Sequence, residues 1–408
     1  MSDTPLLEGI KVVEVATFVL APAAGTIMGD FGAEVIHVEG PGIGDPYRYL
    51  HTVAPFPVSD QPYCWILTGR NKKSVALNLK DAEGRAILYR LVADADVFIT
   101  NFHPSVVSDL GLGWEELAGH NERLVYAHAT GYGDAGEEIE KPGYDATAWW
   151  ARSGMMDTVR PPGADHAIAT AGMGDNPSAV ALFGAIMMGL YRRERTGKGS
   201  KVKTSLMANG VWANSIFIQA ALCGAPAFEP PAHSESPNAL ISAYVCGDGE
   251  ALYLAMINDP VEWPRLVAAI GRKDLVDDPR FADAESRRAN SVALVAVLDE
   301  TFASAPLSRW RQALDDHEVT FGIVNRIADV ATDEQMCANG LLPEIEGSDG
   351  LRTVASPIEV EGVAKLPPLQ APVLGQHTGE VLASLGFDEA AVRDLAERRV
   401  VQLAASTT

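Results

Sequence analysis

A strand–helix–strand repeat near the N-terminus constrains this chain more than any other feature. Ile10-Lys11-Val12-Val13-Glu14-Val15 is β-branched and reads as a strand. Pro22 to Phe31 reads as a helix with proline near its start, and Ala33-Glu34-Val35-Ile36-His37-Val38 reads as the next strand. A strand returning beside its predecessor through a helix is a right-handed crossover in a parallel sheet. The pattern recurs: Ala82 to Val92 is helical, and Ala95 to Thr100 and Leu124 to His128 are strands. The fold class expected is therefore α/β, built on an open, mostly parallel sheet.

Such a sheet often binds a dinucleotide, but the glycine fingerprint for it is missing. Ala16-Thr17-Phe18-Val19-Leu20-Ala21 follows the first strand, where GxGxxG would stand. Gly197-Lys198-Gly199-Ser200 only faintly resembles a phosphate loop, because a helix precedes it where a strand should. It reads as a helix C-cap leading into a strand from Lys201 to Leu206.

At 408 residues the chain is long enough for two or three domains. Its net charge of −22 argues against a nucleic-acid partner or docking on an anionic membrane. Cys64, Cys223, Cys246 and Cys337 form no paired motif and no zinc spacing, so no metal is expected. Reduced thiols and an N-terminus that does not read as a signal peptide point to the cytoplasm.

The texture changes after Gly224 to Asn238, a Pro- and Ala-rich loop. Ile241 to Cys246 and Ala251 to Ile257 flank Gly247-Asp248-Gly249-Glu250, a hairpin signal. Helices are expected at Pro260 to Ile270, Ser291 to Ala303 and Ser308 to Asp316, with strand and turn from Phe321 to Val330. The division is a large α/β domain over 1–224, a smaller α+β domain over 225–325, and a segment 326–408 belonging with the large domain. That last segment should carry strands near Thr353 to Val360 and helices at Gly375 to Leu385 and Asp388 to Glu397.

The stretch with the most chemical content is Ala171-Gly172-Met173-Gly174-Asp175-Asn176-Pro177-Ser178. An apolar helix follows, so Asp175 falls at or just before its N-cap. The helix dipole favours a carboxylate there, which predicts a low pKa and full ionisation at neutral pH. An ionised carboxylate on a small-residue loop can act as a nucleophile. An Asp in such a place is more often only a cap.

Ordered motifs decide between these readings. They are Leu7-Glu8-Gly9-Ile10-Lys11-Val12-Val13-Glu14, Gly32 to Glu39, Asn71 to Lys80, Asn101-Phe102-His103-Pro104, Gly143-Tyr144-Asp145, Met173-Gly174-Asp175, Arg195 to Gly199 and Ala371 to Thr378. Together they make the chain resemble the family III CoA-transferases, which include formyl-CoA and carnitine CoA-transferases and are related to α-methylacyl-CoA racemases. The resemblance implies a Rossmann-like large domain built from both chain ends, a small middle domain, and a homodimer of two interlocked chains. It places the nucleophilic aspartate on Asp175. It places CoA contacts on Val19, Leu20, Leu77, Asn78, Lys80, Asn101, Phe102, His103, Tyr144 and Asp145. CoA thioesters would be substrates, with no resident cofactor.

The chain also departs from the formyl-CoA transferases. Those enzymes carry Gln where it has Val19, a cationic residue where it has Gly40, and Arg where it has Asp109. Formyl or oxalate specificity is therefore not carried over. The segment Gly143 to Met156 is more like transferases acting on 2-hydroxy, aryl or unsaturated dicarboxylic acids, and transfer within one diacid stays open. Trp149 and Trp150 either shape an acyl pocket or belong to the core.

Two rivals share the fold. A racemase would need a histidine where Tyr144 stands, and a phenol is a poor base at neutral pH. His128, in a strand, reads as structural. A non-catalytic CoA-binding protein would have no need of Asp175 with its glycine approach.

Overall fold

The computed structural model describes residues 5–405. Its strands are β1 (Lys11–Val15), β2 (Glu34–Glu39), β3 (Lys72–Leu77), β4 (Val97–Thr100), β5 (Val125–Thr130), β6 (Ser200–Ser205), β7 (Ile241–Val245), β8 (Ala251–Ala255), β9 (Phe321–Ile323) and β10 (Val401–Gln402). Seven of them form one sheet in the order β10-β3-β2-β1-β4-β5-β6. Every pairing in it is parallel except that of β10 with β3. The order reverses direction between β1 and β4, where an open parallel sheet leaves a crevice at the carboxyl ends of its strands.

Both faces of this sheet are covered, as near-continuous apolar strands require. On one face Val12, Val35, Val97 and Val125 pack under helices α1 (Leu20–Asp30) and α4 (Asp175–Thr196). On the other, Val13, Ile36, Phe98 and Tyr126 meet Ile87, Leu88 and Leu91 of α3 (Ala82–Ala93). Helix α2 (Tyr63–Gly69) lies between β2 and β3 in sequence. Helix α4 ends at Gly197, whose φ of 73° makes it the left-handed cap that the sequence suggests.

The chain divides into two compact units. One comprises residues 1–157, 167–226 and 335–408, and the other comprises 158–166 and 227–334. The second unit holds an antiparallel sheet in the order β7-β8-β9. Its own core includes Tyr244, Leu252, Phe281, Leu298, Phe302 and Trp310.

The strands expected near Thr353 to Val360 do not form. That stretch makes isolated bonds, Thr353 N–H to the Pro343 carbonyl at 3.0 Å and Ala355 N–H to that of Leu341 at 2.9 Å. Pro357 lacks the donor a ladder needs. Among the described residues no single helix is long and apolar enough to cross a membrane.

Candidate active site

Asp175 opens onto a cavity of about 280 Å³ at the carboxyl ends of the parallel strands. Residues after β1 (Thr17, Phe18, Val19, Leu20), after β4 (Asn101, Phe102, His103) and after β5 (Gly131) line it, together with Gly143, Tyr144 and Leu206. A second cavity of about 340 Å³ follows the ends of β1, β2 and β3 and is lined by Leu77, Asn78, Lys80 and Phe102 among others. The two share Thr17 and Phe102. They flank the point where the strand order reverses between β1 and β4.

All the expected site residues except Asp145 therefore line one of two adjoining cavities. Asp145 is buried. Its Oδ2 accepts the Gly172 N–H at 2.8 Å and its Oδ1 accepts the Ala146 N–H at 2.7 Å. It holds the backbone of the loop that carries Asp175, and it lines neither cavity. Asn101 lines a cavity but is also committed to the chain. Its Oδ1 accepts the Thr17 N–H at 3.0 Å and its Nδ2 donates to the Thr17 carbonyl at 2.8 Å.

The local backbone explains where Asp175 sits. Gly172 has a φ of 81°, which suits glycine, and its N–H reaches Asp145. Gly174 rests on the Trp149 indole so closely that a Cβ would lie 2.6 Å from Trp149 Cγ. Gly174 is the N-cap, so Asp175 is the first helical residue, one place inside the expected position.

The expectation of a low pKa for Asp175 is overturned. Burial in the cavity wall, reinforced by the neighbouring Asp145 carboxylate, pushes it up to about 7. Loss of water around the charge outweighs the helix N-terminus, so the group is only part ionised at neutral pH.

Other expectations also change in detail. Trp149 and Trp150 are buried in the core, stacked with centroids 6.1 Å apart, and line neither cavity. Arg70, Lys72 and Lys73, just before and at the start of β3, are all paired with carboxylates. Arg70 pairs with Asp30, buried Lys72 with Glu14, and Lys73 with Glu34 and Glu380. Lys80 stays exposed at the rim of the second cavity. His128 is buried, with its Nε2 2.9 Å from the Phe102 carbonyl, and burial lowers its pKa. It supports the strand end that presents Phe102.

Sequence reasoning missed Thr17, Phe18, Thr130, Gly131 and Leu206, all of which line the first cavity. Their only signal is position, at or just beyond the ends of β1, β5 and β6. It also missed Tyr47, which packs with Val19 and Cys64 in a small cluster beside the cavity. Among the described residues no group of three or more His, Cys, Asp or Glu is placed to hold a metal.

The sequence model of CoA-transferase family III matches residues 7–378. The chain belongs to this family. It is an enzyme of the acyl-CoA:carboxylate CoA-transferase type. Its relatives include the (R)-2-hydroxy-4-methylpentanoate CoA-transferase of Clostridioides difficile, 33% identical over 97% of this chain and 100% of that protein. The cinnamoyl-CoA:phenyllactate CoA-transferase of Clostridium sporogenes is 32% identical over 97% of each chain. Among solved structures, a CaiB/BaiF family protein from Brucella suis superposes with a TM-score of 0.83 at 28% identity, covering 94% of this transferase and 100% of that chain.

Proposed function

We propose that Asp175 is the nucleophile of CoA transfer and that the two adjoining cavities receive the acyl-CoA. The carrying observation is that Asp175 opens into a cavity continuous in lining with the ends of β1, β3 and β4, where Thr17, Phe102, Asn78 and Lys80 gather. An Asp175 oxygen attacks the donor thioester carbonyl and expels CoA as thiolate, giving a mixed aspartyl–acyl anhydride. The thiolate attacks the aspartyl carbonyl, the donor leaves as a free carboxylate, and an aspartyl-CoA thioester remains. The acceptor carboxylate attacks that thioester, releasing the thiolate and forming a second anhydride. The thiolate then attacks the acceptor acyl carbonyl, which gives the new acyl-CoA and frees Asp175. No proton moves in these attacks. A carboxylate poorly solvated by water, with a pKa near 7, is more reactive than one in bulk solvent.

The acceptor we infer is a 2-hydroxy, aryl or unsaturated dicarboxylic acid, or the second carboxylate of one diacid. Support comes from relatives named for 2-hydroxy-4-methylpentanoate and phenyllactate. We also infer an interlocked homodimer. Trp212, Ile216 and Leu222, on two successive helices, are 80%, 79% and 76% exposed, and large apolar side chains left open in this way support a protein interface there. The unpaired cysteines agree with a cytoplasmic setting.

The test is the Asp175→Ala variant, assayed with acetyl-CoA and succinyl-CoA against a panel of these acids. Transfer should vanish while CoA binding and dimer mass persist; undiminished transfer would refute the nucleophile. His103 lines the first cavity with Asp175, and a racemase reading would have to use it as second base in place of the histidine missing at Tyr144. Exchange of the substrate α-proton into deuterated water, without transfer, would favour that reading.

A further inference from the structure

The wall of the first cavity includes a backbone conformation that its own residue disfavours. Phe18 has a φ of 64°, in the left-handed region that costs any side chain with a Cβ. Something must hold it there. The Phe18 N–H donates to both oxygens of Asp45, at 3.1 and 3.2 Å. Asp45 is fully buried, and its Oδ1 also accepts the Tyr47 N–H at 2.9 Å. Its own N–H donates to Glu39 at 2.8 Å, and its Oδ2 lies 3.8 Å from His37 Nε2.

An Asp followed by Pro46 at the start of a 3-10 helix is ordinarily a cap, and the Tyr47 bond is that cap. The Phe18 bond is not. It reaches a segment that is remote in sequence and lines the cavity with Asp175. Tyr47, held by the same carboxylate, packs on Val19 of that segment. Asn101 fixes the preceding residue, Thr17, through both of its backbone groups. The Thr17–Val19 loop is therefore clamped at consecutive residues from two sides.

We propose that Asp45, although it lines neither cavity, is a positioning residue for the transfer reaction: its buried carboxylate holds Phe18 left-handed and Tyr47 behind Val19, and so shapes the cavity wall around Asp175. Without it, Phe18 relaxes to negative φ and the wall moves. The activity side of this proposal rests on reading the cavity as the acyl-CoA site; the clamp itself does not.

The experiment pairs hydrogen-exchange mass spectrometry with calorimetric titration of free CoA. In Asp45→Ala, peptides covering residues 16–20 and 46–50 should lose protection while those of β4 and β5 keep theirs. CoA affinity should fall about tenfold or more. In Asp45→Asn, one oxygen still accepts both N–H groups, so protection and affinity should return to within about threefold of wild type. Wild-type affinity in Asp45→Ala would overturn the proposal, as would an Asn variant as impaired as the Ala one. If the Ala variant does not fold, Phe18→Pro removes the same donor and leaves the buried charges untouched. It should show the same loss of affinity, and wild-type affinity there would overturn the proposal. A wild-type protein that binds no CoA would sink the acyl-CoA reading, and local exchange in the variants would still decide the clamp.

Discussion

The Asp145 carboxylate accepts the Gly172 N–H at 2.8 Å, and this bond ties the loop that carries Asp175 to the Gly143-Tyr144-Asp145 motif. The same carboxylate raises the pKa of Asp175, second only to burial. Asp145 therefore acts on Asp175 twice, by placing it and by discouraging its ionisation.

A single substitution separates the two effects. Asp145→Asn removes the charge while keeping an oxygen that can accept a backbone N–H. The rate of covalent capture at Asp175 should follow its ionisation, with a midpoint near 7 in the wild-type protein. In the Asn variant that midpoint should move to lower pH. A midpoint that stays or rises would show that Asp145 has no electrostatic hold on Asp175.

Stability should depend on pH through the same group. Asp175 binds its proton more tightly in the fold, near 7, than at the ordinary value of 3.8. The fold therefore loses stability as pH rises from about 4 to about 7 and has its full complement below that range. Asp175→Asn cannot ionise. In urea denaturation at one protein concentration it should be more stable than wild type at pH 8, by an order of about 1 to 4 kcal/mol. The difference should vanish near pH 4 and below. Equal stability at pH 8 would contradict the raised pKa.

Gly174→Ala tests the packing that seats the loop. Its Cβ would fall 2.6 Å from Trp149 Cγ, and Trp149 is buried. Overpacking of this sort costs about 1–3 kcal/mol. Transfer activity should fall with it, because the next residue is Asp175. A variant with wild-type melting temperature and turnover would mean that the loop tolerates displacement.

The exposed apolar side chains Trp212, Ile216 and Leu222 should be covered in solution. Sedimentation velocity should show a two-chain species that persists on dilution, because interlocked chains must partly unfold to separate. A stable monomer would contradict the interlocked dimer.

The fold was legible where local patterns were strong. The β-branched strands at Ile10 to Val15 and Ala33 to Val38, with Pro22 in the helix between them, dictate a parallel crossover, and β1, α1 and β2 follow. The glycine-bearing turn at Gly247 to Glu250 joins an antiparallel pair. Strand β3 was harder to see because it opens with Lys72 and Lys73, charges that only tertiary pairing with Glu14, Glu34 and Glu380 makes acceptable. Strand β10 is only Val401–Gln402 and has no periodicity to detect.

The site was legible to the level of motifs but not of roles. Asp145 and Asn101 both lie in motifs, yet their polar atoms serve the backbone of Gly172 and Thr17. Nothing local distinguishes a carboxylate that meets a ligand from one that meets a buried N–H. The charge state of Asp175 failed for the same reason: its helix position was visible and its burial was not.

The most direct test of the central claim is intact and peptide mass spectrometry after mixing the transferase with acyl-CoA donors and quenching with hydroxylamine or borohydride. Hydroxylamine converts an activated aspartyl carbonyl to the hydroxamate, and borohydride reduces it to the alcohol. With Asp175 as nucleophile, the altered mass should map to Asp175, and only in the presence of a donor. No adduct with any donor, alongside measurable transfer, would contradict it.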